Sequence, residues 1–291
     1  MGDYRNLTMR RVMSKEDADK YVGEMVPDIE ANVTEACVVR DADTGEPLFA
    51  YLPLPRGKVA ELRRAVLRVK YGHTLRGVKG VINVSRVFGM SPRKPMVSRE
   101  SCRPTTLSQE DPEAHAVIVN MAYTLADQMR EVFPEVHERD SRVIQEVADD
   151  WRMAEGALWT SGVINKTSTL PYHRDGFNFD TWSAMPVVRR SVTGGYLHIP
   201  EYDIVCSARD GYSLYFYGHG LVHGVTPMTQ TKRDGYRYSV VYYALRGMKD
   251  CFTYAMETAR GQEKRTEREE GIASAIRGES DFIPGRNLKV K

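Results

Sequence analysis

Three polar side chains in the C-terminal half of the chain have the types and spacing of a metal site. His173 and Asp175 flank Arg174 in LPYHRDGFN, and His223 follows in GLVHGVTP. In an extended segment, side chains two residues apart point to one face, roughly 6.5–7 Å apart along the strand. His173 and Asp175 can therefore converge on a single ion. Two histidines and a carboxylate on one face of an octahedral metal, with three positions open, form the ligand set of non-haem Fe(II) oxygen chemistry. A His-x-Asp tripeptide alone is common and specifies little. Downstream, Arg237 and Ser239 alternate onto one face of YRYSVVYYAL, Arg237 lying fourteen residues past His223. A guanidinium fork beside a hydroxyl suits a carboxylate held by two parallel charge-assisted bonds. His219, four residues before His223, competes for the third ligand position, but YGHG reads as a turn. His198 in YLHIP reads as a partly buried strand histidine.

The elements that must position these groups follow from pattern. After Trp151 come short β-rich runs: ALWTSGVIN, SVTGGYLHIP, YSLYFYG, GLVHGV and YRYSVVYYAL. Pro, Gly, Asp and Asn separate them at the spacing of a sandwich or barrel. Upstream, the texture is helical. GKVAELRRAVLRVKYG carries Val59, Leu62, Val66 and Val69 at helical spacing, and Pro112 to Val132 carries Val117, Met121, Leu125, Met129 and Val132. Glu135 to Asp150 reads as a third helix with Val143, Val147 and Trp151 facing inward. The pattern predicts a single domain in three parts: a mainly helical basic and acidic part over 1–150, a β-rich core over 151–257, and a polar tail over 258–291 containing a charged helix around GQEKRTEREEG.

Composition narrows the class. The 291 residues are 42% apolar with a net charge of +2, an ordinary globular balance that excludes disordered, collagen-like and disulfide-scaffold chains. No apolar run approaches the ~18 residues that span a bilayer. The four cysteines lie far apart without a C-x-x-C pair, which argues against structural zinc and fits a reducing, cytoplasmic setting. The small net charge conceals an asymmetry. Residues 56–103 hold 13 basic and 2 acidic side chains, a local +11, whereas residues 104–160 hold 4 and 12, a local −8. Such a basic concentration suits phosphate neutralisation by Arg63, Arg64, Arg68, Arg93 and Lys94. It equally suits a solvated basic face against which the acidic segment folds.

The order His-x-Asp, His, Arg-x-Ser on successive β runs is that of the Fe(II)/2-oxoglutarate oxygenases. Together, LPYHRDGFN, GGYLHIPEY, YSLYFYGHGLVHGVTP and GYRYSVVYY resemble the ten-eleven translocation and base J-binding protein (TET/JBP) oxygenases, over roughly residues 80–247. The resemblance implies an α+β fold: a double-stranded β-helix (jelly-roll) core with N-terminal helices packed on it. It implies Fe(II), 2-oxoglutarate and O2 as cofactors and DNA as partner, in a bacterial or phage-infected cell if the short microbial members are the guide. His173, Asp175 and His223 would ligate iron. Arg237 and Ser239 would hold 2-oxoglutarate, with Arg86 of the Arg-x-Phe-Gly in NVSRVFGMSPRKP and Asn165 as further contacts. Asn178 would touch the target base and Tyr243 would stack on it. Leu245 stands where the eukaryotic 5-methylcytosine enzymes place a base-reading histidine. The implied reaction is 5-methylcytosine to 5-hydroxymethylcytosine, with thymine to 5-hydroxymethyluracil as the alternative. The family's animal-type zinc module is absent.

A base inside a duplex cannot reach such a pocket, so the target must be flipped or single-stranded, and binding must weaken as salt rises. Two other readings use the same residues differently. An oxygenase for a protein side chain or small molecule would keep the metal and Arg-x-Ser. A nucleic-acid-binding module that had lost catalysis would be expected to lack one of the ligands, and all are present.

Overall fold

Tyr236, Tyr238, Val240 and Tyr242 alternate along one strand with Arg237, Ser239, Val241 and Tyr243, and that alternation divides the molecule. The first set joins the hydrophobic cluster under the helices; of the second, Ser239, Val241 and Tyr243 line a cavity between two sheets. The computed structural model describes residues 3–75, 82–94 and 99–280. Arg76 and Lys79 of the basic stretch, the Pro95 end of NVSRVFGMSPRKP, and residues 281–291 of the tail lie outside the described residues.

The N-terminal part runs β1 (Arg5–Met9), α1 (Lys15–Asp19), β2 (Cys37–Asp41), β3 (Pro47–Pro53), α2 (Arg56–Arg68), β4 (Gly72–Leu75), β5 (Ile82–Ser91) and β6 (Arg103–Pro104). Three helices follow: α3 (Leu107–Glu110), α4 (Pro112–Val132) and α5 (Pro134–Ile144). The core strands are β7 (Ser161–Lys166), β8 (Leu170–His173), β9 (Ser183–Arg190), β10 (Val192–Gly194), β11 (Leu197–Ile199) and β12 (Ile204–Cys206). Then come β13 (Tyr212–Phe216), β14 (His223–Val225), β15 (Met228–Gln230), β16 (Tyr236–Tyr243) and the closing helix α6 (Tyr254–Ile276).

Among the described residues, a ten-stranded sheet has the order β1-β2-β3-β13-β9-β16-β7-β5-β4, with β6 paired to β5. A four-stranded sheet has the order β12-β11-β14-β8, and β10 pairs with β15. From β7 onward the chain passes back and forth between the two larger sheets: β7, β9, β13 and β16 in one, β8, β11 with β12, and β14 in the other. That winding is the double-stranded β-helix expected from the sequence. Phe49, Tyr51, Met185, Val187, Leu197, Ile199, Leu214 and Phe216 fill the space between the sheets.

Helix α4 forms where its pattern predicts. Asp111 caps it by accepting from the Ala114 amide (3.1 Å), and Pro112 occupies the first turn, where no amide is needed. Its Ile118, Met121, Leu125 and Met129 pack with Leu62 and Val66 of α2 on the outer face of the large sheet. Burying each such side chain stabilises the fold by about 2 kcal/mol.

Two expectations are corrected here. Residues 1–150 carry not only the helices α1 to α5 but also β1 to β5, five strands that the pattern did not show and that extend the large sheet. Their short apolar runs, such as CVVRD and PLFAYLP, carry too few residues for periodicity to register. The cysteines are not all separate, because Cys102 and Cys251, 149 residues apart, form a disulfide. Distance along the chain does not constrain distance in space. Cys37 and Cys206 are free and buried. No helix among the described residues is long and apolar enough to cross a membrane.

Candidate active site

The three ligand candidates meet because two short strands of the smaller sheet pair there. His173 ends β8, His223 begins β14, and the two residues are direct cross-strand partners, their ring centres 4.4 Å apart. Asp175 follows two residues past β8, its amide bonded to the Gly218 carbonyl at 2.9 Å. Its oxygens lie 3.8 Å from His173 Nε2 and 3.9 Å from His223 Nε2. The candidate ligand atoms all fall within 4.8 Å of one another.

Both imidazoles are set for metal binding. His173 Nδ1 lies 2.8 Å from the Pro171 carbonyl and His223 Nδ1 lies 3.0 Å from the Leu221 carbonyl. A carbonyl only accepts, so each Nδ1 carries the proton and each Nε2 lone pair faces the carboxylate. Burial, reinforced by the neighbouring His173, pushes His223 down to about 4, which keeps it neutral at physiological pH. Gly218 is needed beside this group, because a Cβ there would lie 2.7 Å from Asp175 Oδ2. Arg174 turns away from the ligands and bonds Asp19 (2.7 Å) and the buried Glu201 (2.8 Å). It thereby anchors the middle of the tripeptide, a role that residue spacing does not reveal.

Of the rival histidines, His219 has Nδ1 3.3 Å from the Asp175 main-chain oxygen and stays outside the ligand group. His198 is buried, with Nδ1 2.5 Å from the Tyr172 hydroxyl.

On the large sheet, one buried cation stands without an anion among the described residues. Arg237 is wholly buried, and its Nε, Nη1 and Nη2 all lack a hydrogen-bond partner. Arg189 is its cross-strand neighbour on β9. Arg189 is capped by carbonyl oxygens of Val192 (2.5 Å), Gly194 (2.8 Å) and Ser207 (3.1 Å). Burial, with the Arg189 charge alongside, pushes Arg237 down to about 9. A buried guanidinium left unpaired is strongly unfavourable, so this position calls for a carboxylate. The chain makes room for it, since Gly195 at φ +69 has backbone where a Cβ would lie 2.7 Å from Arg237 Cδ.

A cavity of about 410 Å³ opens beside the ligand group, and Ser239, two residues from Arg237 on β16, lines it. Its walls include His173, Asp175 and His223, then Asn165 and Ser239 deeper in, and Asn178, Tyr243 and Leu245 toward the mouth. Asn165 accepts a 2.8 Å bond from Asn83 Nδ2. Asn83 is fully buried, and its Oδ1 has no partner. In the sequence Asn83 is marked only by its place two residues before Ser85, the residue paired with Asn165 across β5 and β7. Asn178 is buried, its amide bonded to the Asp175 carbonyl (3.0 Å), and it forms a β-bridge with Leu245.

Several expected contacts are not brought to this cavity. Arg86 occupies the opposite face of β5, where it donates to Thr106 Oγ1 (2.9 Å) and pairs with Glu110 (2.7 Å). Strand alternation puts it on the face opposite Ser85, whose cross-strand partner Asn165 lines the cavity. Arg63 pairs with Asp210 (2.6 Å) and the Tyr236 hydroxyl (2.9 Å), and Arg68 pairs with Asp111 and Glu113. With exposed Arg64 they belong to α2, across the large sheet from the cavity. The basic helix is thus partly answered by the acidic segment that folds against it. Arg93 pairs with the buried Glu257 of α6, whereas Lys94 is exposed.

No protein-family model matches the chain, and no curated protein matches it in sequence. Solved structures do match its shape. The structure of NgTET1 in complex with 5mC DNA superposes with a TM-score of 0.55 at 18% identity, covering 83% of this chain and 95% of that one. A 2OG-Fe(II) oxygenase family oxidoreductase from Burkholderia pseudomallei gives 0.46 at 13% identity, covering 84% and 100%. A Pseudomonas putida prolyl-4-hydroxylase gives 0.39 at 14%, covering 68% and 92%. The chain shares its fold with NgTET1, over most of both chains.

Proposed function

We propose that this chain is an Fe(II)- and 2-oxoglutarate-dependent dioxygenase that oxidises the 5-methyl group of a pyrimidine in DNA, with 5-methylcytosine to 5-hydroxymethylcytosine as the primary reaction. The observation that carries the cofactor assignment is the buried Arg237 guanidinium without a partner, on the same strand face as Ser239, which lines one cavity with two histidines and an aspartate. A dicarboxylate that reaches from the ligand triad to Arg237 satisfies both ends at once. His173, Asp175 and His223 would hold Fe(II), and Arg237, Ser239 and Asn165 would hold 2-oxoglutarate.

Fe(II) held there would supply the chemistry that couples conversion of 2-oxoglutarate and O2 to succinate and CO2 with insertion of one oxygen atom into a substrate C–H bond. The chain's own residues supply the geometry. The Nδ1–H bonds to Pro171 and Leu221 hold the imidazoles in one tautomer. Apolar side chains of Leu170, Met185, Leu197 and Phe216 line the cavity around the triad. At the mouth, Tyr243 offers a ring face and Asn178 offers both a donor and an acceptor to a base edge, the two elements by which an extruded base is gripped. The fold match to a protein solved with 5mC DNA supports a nucleic-acid substrate over a protein side chain or small molecule.

Thymine oxidation remains the second reading because of one residue. Leu245 lines the mouth with an apolar side chain, so it adds no donor by which cytosine would be told from thymine. Incubating methylated DNA with protein, Fe(II) and 2-oxoglutarate, then analysing nucleosides by mass spectrometry, tests both. A 5-hydroxymethylcytosine product is expected; unchanged 5-methylcytosine and thymine with intact protein would overturn the assignment.

A further inference from the structure

A second cavity, of about 440 Å³, adjoins the first and shares Phe177, Tyr243 and Leu245 with it. Its lining contains four cations and no carboxylate among the described residues. The cations are not equivalent. Arg93 is held through Nε (3.1 Å) by Glu257, a buried carboxylate that also accepts from the amides of Cys102 (2.7 Å) and Phe252 (2.9 Å). Arg246 donates from its side chain to the Gly176 carbonyl and from its amide to the Phe177 carbonyl (3.1 Å). Both are therefore structural. The other two differ: Lys94 is exposed, and Arg99 has a buried Nε with no partner. These two residues pair main chain to main chain at 2.7 and 3.1 Å, which sets them side by side.

Phe177 is the second observation. It is 85% exposed, more than any other large hydrophobic residue among those described. Leaving so much apolar surface in water is unfavourable, and its backbone is not loose. The Asn178 amide bonds Asp175, the Phe179 amide bonds Ala244 (2.8 Å), and Arg246 holds Phe177 itself. A fixed loop therefore presents a bare aromatic ring on the rim between two cavities, two residues from a metal-ligand candidate. Every nucleobase has a π-face that stacks on such a ring, and a phosphodiester oxygen is the anion that a guanidinium and an ammonium side by side accept.

We infer that the second cavity seats the nucleotide next to the target on the same strand, its base against Phe177 and its phosphate against Arg99 and Lys94. The inference rests on the first cavity being the seat of the methylpyrimidine. Arg93 and Arg246 are positioning residues, one anchoring the basic wall to α6 and the other bracing the loop that carries Phe177.

The test is equilibrium binding of a short single-stranded methylated oligonucleotide to the Fe(II)- and 2-oxoglutarate-loaded protein without O2. It is repeated with an abasic site on either side of the target, and with a neutral methylphosphonate at either flanking phosphate. Phe177→Ala is expected to weaken the intact oligonucleotide about tenfold. An abasic site on one side should weaken wild type to a similar extent, and combining the two changes should weaken binding no further. Lys94→Gln and Arg99→Gln should each reduce the methylphosphonate penalty at one position, with unfolding midpoints like that of wild type. Lys94, being exposed, carries the test if Arg99→Gln is unstable. Penalties that simply add, or variants indistinguishable from wild type, overturn the inference if wild type still binds and oxidises the oligonucleotide. If wild type neither binds nor oxidises it, the methylpyrimidine reading falls, and this inference with it.

Discussion

Removing a ligand side chain leaves the other two unable to hold a divalent ion on one face. His173→Ala and Asp175→Ala are therefore expected to abolish Fe(II) binding in a metal titration and to lower 2-oxoglutarate turnover by at least about a hundredfold. Parent-rate turnover in either variant would reject the ligand assignment. Gly195 tests the dicarboxylate end without touching a polar group. Alanine there would adopt φ +69 and place its Cβ 2.7 Å from Arg237 Cδ, so the guanidinium must move. The Michaelis constant for 2-oxoglutarate should rise about tenfold while substrate affinity stays near the parent value. Leu245→His returns a ring donor to the cavity mouth, and the ratio of cytosine to thymine product should shift without loss of total turnover. An unchanged ratio would remove Leu245 from the base-reading group.

Strand pairing carries these residues to their places. β16 lies between β7 and β9, so Arg237 and Ser239 are flanked on both sides by fixed backbone. β9 departs from the usual strand pattern, with Pro186 in a central strand where a ladder donor is lost. At the far end of the sheet, β2 closes on an ionised group. Asp41 accepts from the Tyr202 hydroxyl (2.6 Å) and from the Asp43 amide (2.8 Å), and these bonds, the hydroxyl foremost, hold it down at about 2. A carboxylate whose folded value lies below its unfolded value of about 4 adds stability above pH 4 and loses it as pH falls toward 2. Wild type should therefore show a drop in unfolding midpoint across that window. Asp41→Asn should be less stable at neutral pH and show a smaller drop, and an equal drop would place the acid sensitivity elsewhere.

Over the whole molecule, a single covalent link spans the long-range organisation. The Cys102–Cys251 disulfide joins the basic segment after β5 to the turn after β16, beside Glu257 of α6. Closing a loop of 149 residues in the unfolded chain is worth roughly 5 kcal/mol on the loop-entropy account. Cys251→Ser should lower the unfolding midpoint by several degrees, and the α6 amides should exchange faster with solvent. A variant with unchanged stability and exchange would mean that the bond constrains little. Because the Cys102 amide donates to Glu257, the carboxylate that holds Arg93, reduction is also expected to weaken oligonucleotide binding more than Fe(II) binding.

The sequence by itself determined the reactive types, their order, and the alternation that puts Arg237 with Ser239 and His173 with Asp175. It also marked α2 and α4 closely, because those helices are long enough for a period to be counted. It could not say which face of β5 Arg86 would take, since that depends on the register against β7, a pairing between residues some 80 positions apart. Nor could it assign the basic residues. Whether an arginine meets a phosphate or a carboxylate depends on what the fold brings beside it, and folding brought Asp210 to Arg63, Asp111 to Arg68 and Glu257 to Arg93. Local periodicity is a property of adjacent residues and survives in the linear chain. Neutralisation, burial and the choice of partner are set by contacts across the sheet, and they exist only once the two β-layers have closed around the cavity.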